Sequence, residues 1–168
     1  SWIQLGGDID GVAVRDVSGR SVAMSGDGTK VVIGAFGNDD NGERAGHARV
    51  YRYEGSSWIQ VGGDIDGEAQ GDGSGFAVAM SGDGTTVIIG APYNGSNGGA
   101  AGHARVYSST DGLWTQIGGD IDGEASSNWS GYAVAINGDG ATVMIGAPIN
   151  GSAGHARVFR FGKLTPPG

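Results

Sequence analysis

The sequence predicts an all-β protein made of three homologous units, each carrying four short antiparallel strands. Three observations predict it. An eleven-residue segment returns at a fixed spacing along the whole chain. No stretch carries an apolar pattern of helical period without glycine interrupting it. Short runs rich in β-branched residues are bounded instead by glycine-rich turns.

The recurring segment is Ser1-Trp2-Ile3-Gln4-Leu5-Gly6-Gly7-Asp8-Ile9-Asp10-Gly11, which returns from Ser57 and again from Leu113, at the same interval both times. Units 1–56, 57–112 and 113–168 therefore tile the chain. His47 and His103 keep that interval, whereas His155 follows His103 early, which places an indel-tolerant surface loop before the third histidine.

The middle unit shows the elements in order. Trp58-Ile59-Gln60-Val61 is a strand running into Gly62-Gly63, and Phe76–Met80 is a second between Gly75 and Gly82. Thr85–Ile89 is a third, ended by Gly90-Ala91-Pro92; its unbroken apolar run predicts burial on both faces. His103–Tyr107 alternates polar and apolar residues, as a strand with one wetter face does. Ser81-Gly82-Asp83-Gly84-Thr85 joins the second and third strands as a hairpin turn, with Gly or Asp where φ is positive.

Composition agrees with this reading and narrows the functions. Glycine supplies 36 residues, about three times ordinary usage, but at equivalent places in each unit, so it is turn chemistry rather than linker. A hydrophobic fraction of 38% is enough for a packed core. The absence of cysteine removes disulfides, thiolate metal sites and cysteine nucleophiles. A net charge of −8 disfavours nucleic-acid backbones and anionic lipid as partners, and no apolar run is long enough for a membrane span.

Four antiparallel strands in every repeat of this length is the pattern of a β-propeller blade. Gly75-Phe76-Ala77-Val78-Ala79, followed by Val87-Ile88-Ile89-Gly90-Ala91-Pro92, resembles the FG-GAP repeat of integrin α-subunit propellers and of many extracellular bacterial and algal proteins. The third unit matches through Gly131-Tyr132 and Gly146-Ala147-Pro148; the first departs, with Gly19-Arg20 and Gly34-Ala35-Phe36. The family's calcium loop lies between the first two blade strands, where this chain has only Ser-Gly-Asp-Gly-Thr, too short for the roughly six to eight oxygens calcium takes. The resemblance also implies that Trp-Ile-Gln is the outer strand of the preceding blade. Trp2–Leu5 then lacks a blade of its own, and the blade ending at His155–Phe161 lacks an outer strand. Closure by dimerisation into a ring of 3+3 blades follows as the expectation, since propellers use about four to eight blades. A fragment of a longer repeat chain and a head-to-tail filament are the alternatives.

Candidate sites follow from residues shared by the units. Asp8/Asp10, Asp64/Asp66 and Asp120/Asp122 recur in Gly-Gly-Asp-Ile-Asp-Gly, with Glu68 and Glu124 two residues on and Asp72 adding a carboxylate in the middle unit. Asp-x-Asp-Gly can offer oxygens to a hard cation such as Ca2+; the competing reading is that these carboxylates cap backbone N–H groups in interblade turns. His47, His103 and His155 open Gly-His-Ala-Arg-Val, either as strand-start residues bonding a neighbouring turn or as repeated ligand contacts. Arg49, Arg105 and Arg157 are expected to pair with nearby aspartates. Trp2, Trp58 and Trp114 are expected to pack between blades, whereas Trp129, in a polar loop, is the better candidate for a ligand contact. Asn94, Asn128 and Asn150 stand in N-glycosylation sequons.

No nucleophile elbow, phosphate loop or dinucleotide fingerprint appears, and a polar group present three times points to a scaffold rather than a catalyst. The expectation is therefore a non-catalytic extracellular or cell-surface module for adhesion or recognition, self-associating and binding a protein or a glycan. A multivalent carbohydrate-binding lectin and a structural subunit of a surface filament are the alternatives.

Overall fold

The computed structural model describes residues 1–162. Among them there is no helix. The strands are β1 (Ser21–Met24), β2 (Lys30–Ala35), β3 (His47–Tyr53), β4 (Trp58–Gln60), β5 (Ile65–Asp66), β6 (Ala77–Met80) and β7 (Thr86–Ala91). They continue as β8 (His103–Thr110), β9 (Leu113–Gln116), β10 (Ile121–Asp122), β11 (Ala133–Ile136), β12 (Thr142–Ala147) and β13 (His155–Arg160). Three antiparallel sheets result. The first is β1-β2-β3 with β4 and β5 both on the free side of β3; the second is β6-β7-β8 with β9 and β10 on β8; the third is β11-β12-β13.

The strand that opens each repeat belongs to the sheet before it. Trp58 pairs with Tyr53, Ile59 with Arg52 and Gln60 with Tyr51, and Leu113–Gln116 pairs in the same way with β8. A short turn makes this possible: Glu54 N–H donates to Ser57 O, with Gly55 at φ 72°. Among the described residues the third sheet has no such outer strand, and Trp2–Gln4 forms none.

The sheets stack face to face, and period-two alternation sorts their side chains. Val32, Ala48 and Val50 of the first sheet meet Val78, Met80, Val87 and Ile89 of the second. Ile88, Ala104 and Val106 on the other face of the second meet Val143 and Ile145 of the third. Each such Val or Ile contributes about 1.5–3 kcal/mol on full burial. Only β7 is buried along its whole length, because a sheet lies on each side of it; β2 and β12 are covered on one face. Val22 and Met24 are 65% exposed where their equivalents Val78 and Met80 are 8% and 7% exposed. Met144 and Val158 are likewise open where Ile88 and Val106 are buried. The stack does not close on itself.

Glycines set the spacing between sheets. A Cβ on Gly34 would lie 2.0 Å from Gly75 O, and one on Gly90 would lie 2.0 Å from Gly131 O. The glycine before each second-strand aromatic thus presses its carbonyl against the glycine of the preceding Gly-Ala element, and neither position has room for a side chain. In the hairpin turns only the second glycine takes positive φ, as at Gly84 (66°). The first serves the neighbouring sheet instead: Gly26 N–H donates to Gly82 O, and Gly82 N–H to Gly138 O.

Candidate functional site

The repeated acidic element fixes arginines. Arg49 Nε donates to Asp64 Oδ1 at 2.7 Å and its Nη2 to Oδ2, while Gln60 Nε2 also donates to Oδ1 at 2.7 Å. The Arg49 hydrogen bonds hold the Asp64 carboxyl below the usual carboxylate range. Arg105 repeats the pattern on Asp120, with Nε at 2.9 Å and Nη2 at 3.2 Å, and Gln116 at 2.8 Å. Burial raises the Asp120 pKa, but Gln116 and Arg105 outweigh it and the net shift is downward. These aspartates take side-chain donors rather than turn N–H groups. Asp66 and Asp122, at the alternate positions, pair through their backbones with His47 and His103.

The third copy of this arrangement is unfinished. Among the described residues Arg157 Nε is buried with no hydrogen-bond partner, and its Nη2 reaches only the backbone oxygen of Asp122. Asp8, for its part, accepts from Gln4 Nε2 at 2.8 Å but has no arginine among the described residues. One arginine lacks its aspartate, and one aspartate lacks its arginine.

A cavity of about 400 Å³ opens beside Arg157, walled by Val106, Ile117, Val143, Phe159 and Phe161. At the equivalent place one sheet earlier, Trp114 packs against the core and its Nε1 donates to Val61 O at 2.9 Å. Trp58 Nε1 donates likewise to Leu5 O at 2.9 Å. By that progression the next indole belongs on Ile117 O, inside the cavity. Among the described residues no tryptophan stands there, and Trp2 is fully exposed.

The remaining candidates are placed as follows. Glu68 ion-pairs with Arg105, and Glu124 lies 3.7 Å from His155 Nδ1. His47 and His103 are buried, and among the described residues their Nδ1 atoms have no hydrogen-bond partner, so these nitrogens bond no neighbouring turn there. Asp72 is a buried cap, accepting from Ala69 N at 3.1 Å and Asn94 Nδ2 at 2.9 Å. It is not peculiar to the middle unit: Asp16 accepts from Ala13 N and Asn38 Nδ2 in the same way, and Asn128 accepts from Ala125 N. Applying the repeat interval to Asp72 would have found Asp16. Asn94 and Asn128 are buried in these turns, while Asn150 Nδ2 donates to Glu124. Asp10 is exposed.

Trp129 sits half-buried at φ 54°, where the middle repeat has Gly73 at φ 65°. A bulky residue in the left-handed region is strained. Its ring stacks on Tyr132 and meets Tyr93 edge-on at 5.6 Å; Tyr93 and Tyr132 both contact Phe76. This aromatic row crosses from one sheet's loops to the next, so contiguous sequence does not reveal it.

Residues 10–51 match the family model of the FG-GAP repeat. That span runs from Asp10 through β1 and β2 to Tyr51 in β3, in the unit whose motif departs most from Gly-Phe and Gly-Ala-Pro. Of the glycines that meet across the seams between sheets, Gly34 lies within the matched span. No curated protein sequence matches the chain. Among solved structures, a chain of the Kuenenia stuttgartiensis hydrazine synthase overlaps it with a TM-score of 0.42 and 13% identity, over 92% of this chain and 49% of that one. This chain thus spans about half of that one's length. Among the described residues no helix is long and apolar enough to cross a membrane.

Proposed function

We propose that this chain is a non-catalytic extracellular recognition module whose three blades are completed by a second copy. Trp2–Leu5 of each copy serves as the outer strand of the other's third sheet, giving a six-bladed ring through two identical heterologous contacts. The observation that carries this reading is the partnerless Arg157 Nε beside a tryptophan-sized cavity, in a chain that also exposes Trp2 and leaves Asp8 without an arginine among the described residues. The open faces match as well: Val22 and Met24 stand ready for the exposed Met144 and Val158, as Val78 and Met80 do for the first sheet. A Cβ on Gly19 would meet nothing within 4 Å and one on Gly146 nothing closer than Ala133 Cβ at 3.4 Å, whereas one on Gly131 would lie 2.2 Å from His103 O and one on Gly90 2.0 Å from Gly131 O. Repetition of the Asp, His and Arg positions in each unit supports a scaffold, and the resemblance to FG-GAP repeats together with the acidic, glycine-rich composition supports an extracellular setting.

Light scattering tests the reading. The chain should run near twice 16.8 kDa, and Trp2→Ala should run as one copy. A chain that stays at 16.8 kDa at all concentrations overturns it; unlimited growth points to the filament instead. Trp129 favours a second reading, a lectin that stacks sugar rings on the aromatic row. A tryptophan-fluorescence titration with sugars that leaves Trp129 unchanged would remove it.

A further inference from the structure

We infer that Glu68, His103 and Asp120 form a site for a first-row divalent cation, zinc by its ligand chemistry, with a sister site at Asp40, His47 and Asp64. His103, at the first position of β8, is 2% exposed and its Nδ1 has no hydrogen-bond partner among the described residues. That nitrogen faces carboxylates: Glu68 Oε2 and Asp120 Oδ2 each at 3.8 Å, and Asp122 Oδ1 at 4.0 Å. Ligand atoms of Glu68, His103 and Asp120 all lie within 4.8 Å of one another, as do those of Asp40, His47 and Asp64.

At such separations a buried imidazole nitrogen is too far from an oxygen for a direct hydrogen bond. The spacing is close to what a metal between them requires. Tetrahedral zinc, with nitrogen at about 2.0–2.1 Å and oxygen at about 2.0–2.2 Å, sets the two atoms ~3.4 Å apart. From His103 Nδ1 to Glu68 Oε2 and to Asp120 Oδ2 the distance must shorten by about 0.4 Å.

The arginine orients this set. Arg105 Nη2 bonds Glu68 Oε1, and its Nε bonds Asp120 Oδ1 at 2.9 Å, where Gln116 also donates. Glu68 Oε2 and Asp120 Oδ2 are thereby turned toward His103, the latter also 3.2 Å from Arg105 Nη2. Ligating carboxylates are commonly held by such outer partners. Three carboxylates against one guanidinium leave a charge of −2, which a divalent ion neutralises. Burial pushes the His103 pKa down against the opposing pull of Asp120, Asp72 and Asp122, which favours the neutral ring that ligates metals. A nitrogen in the set selects against calcium, which takes oxygen ligands. Glu68 follows β5 of the first sheet, whereas His103, Asp120 and Asp122 come from β8 and the segment holding β10 of the second, so a bound ion staples two sheets.

Calorimetric titration of the metal-stripped chain with ZnCl2, with CaCl2 as the comparison, tests this. Two zinc equivalents per chain, a raised melting temperature and little response to calcium are expected. His103→Gln should lose one equivalent. Because that change touches the core, Glu68→Gln, on a partly exposed side chain, is the second variant, and it should weaken one site at least tenfold while leaving the zinc-free melting temperature near wild type. Absence of zinc binding, or Glu68→Gln and His103→Gln binding both equivalents as wild type does, would overturn the assignment.

Discussion

Replacing Gly90 by alanine inserts one methyl group at the seam between the second and third sheets. The new Cβ would lie 2.0 Å from Gly131 O and 2.9 Å from Gly131 C. Backbone cannot yield as a flexible side chain can, so the sheets must part by roughly 1 Å or more, and a radial gap of about 0.5–1 Å already forfeits a quarter to a half of each dispersion contact. The contacts at stake are those of Ile88, Ala104 and Val106 with Val143 and Ile145. Overpacking of this kind costs about 1–3 kcal/mol, and the backbone clash places Gly90→Ala at the upper end. Against a total stability of about 5–15 kcal/mol that is a large loss, and it corresponds to a fall of about 1.5 M in the urea midpoint for a slope of about 2 kcal/mol/M. Gly146→Ala is the matched control at the same motif position. Its Cβ meets Ala133 Cβ at 3.4 Å and nothing closer, so one copy should fold with nearly wild-type stability. In the proposed ring, however, Gly146 takes the place Gly90 has in the chain, once at each of the two contacts, and the same cost of about 3 kcal/mol per contact should lower the association constant about 10,000-fold. Urea unfolding followed by far-ultraviolet circular dichroism reads the first effect, and sedimentation velocity reads the second. Wild-type stability in Gly90→Ala, or undiminished association in Gly146→Ala, would falsify the role assigned to the seams.

Other outcomes follow from the same contacts. Trp114→Ala should cost about 3 kcal/mol by opening a cavity at the first seam, whereas Trp114→Phe should cost about 1 kcal/mol, the Nε1 bond to Val61 O; urea midpoints separate the two. Asp72→Ala should cost about 1–3 kcal/mol by leaving the Ala69 N–H and the Asn94 amide unpaired, while Asp72→Asn should be milder, since Asn128 takes this turn in the third repeat. Burial depresses the pKa values of His47 and His103 from 6.5. The unfolded chain therefore takes up these protons first; their stabilising contribution is complete above pH 6.5 and is lost as pH falls through the lower folded values. Melting temperatures measured with chelator should drop as pH falls below 6.5, and less so in a His47→Gln/His103→Gln double variant.

Much of this architecture is legible in the chain because the repeat is exact enough to be read by subtraction. Strands β6, β7 and β8 lie where the β-branched and alternating runs of the middle unit place them, within a residue or two at most ends. The burial of β7 on both faces follows from its unbroken Thr-Val-Ile-Ile run, but the same run in β2 and β12 is half covered. Pattern reports what a strand can bury, and position in the stack decides what it does bury. Periodicity also hides function. Gly26 and Gly82 look like turn glycines and are hydrogen-bonded steps between sheets. Arg157 looks like Arg49 and Arg105, and only the structure reveals that its Nε is stranded. The aromatic row from Phe76 to Trp129 joins residues of successive repeats across loop tips, a proximity no local spacing carries. The orphaned Nδ1 atoms of His47 and His103 depend on side-chain geometry that sequence does not encode locally.

The proposed intermolecular strand can be trapped covalently, because the sequence has no cysteine of its own. Arg52 pairs with Ile59 and Ser108 with Thr115, so the corresponding pair across two copies is Arg160 with Ile3. Facing residues of antiparallel strands sit about 4.5–5.5 Å apart at Cα, within the span of a disulfide. Mild oxidation of an Ile3→Cys/Arg160→Cys variant should give a reducible covalent dimer, with both single-cysteine variants remaining largely uncrosslinked at the same concentration. A double variant that keeps its thiols free while remaining folded would contradict the exchange of the first strand.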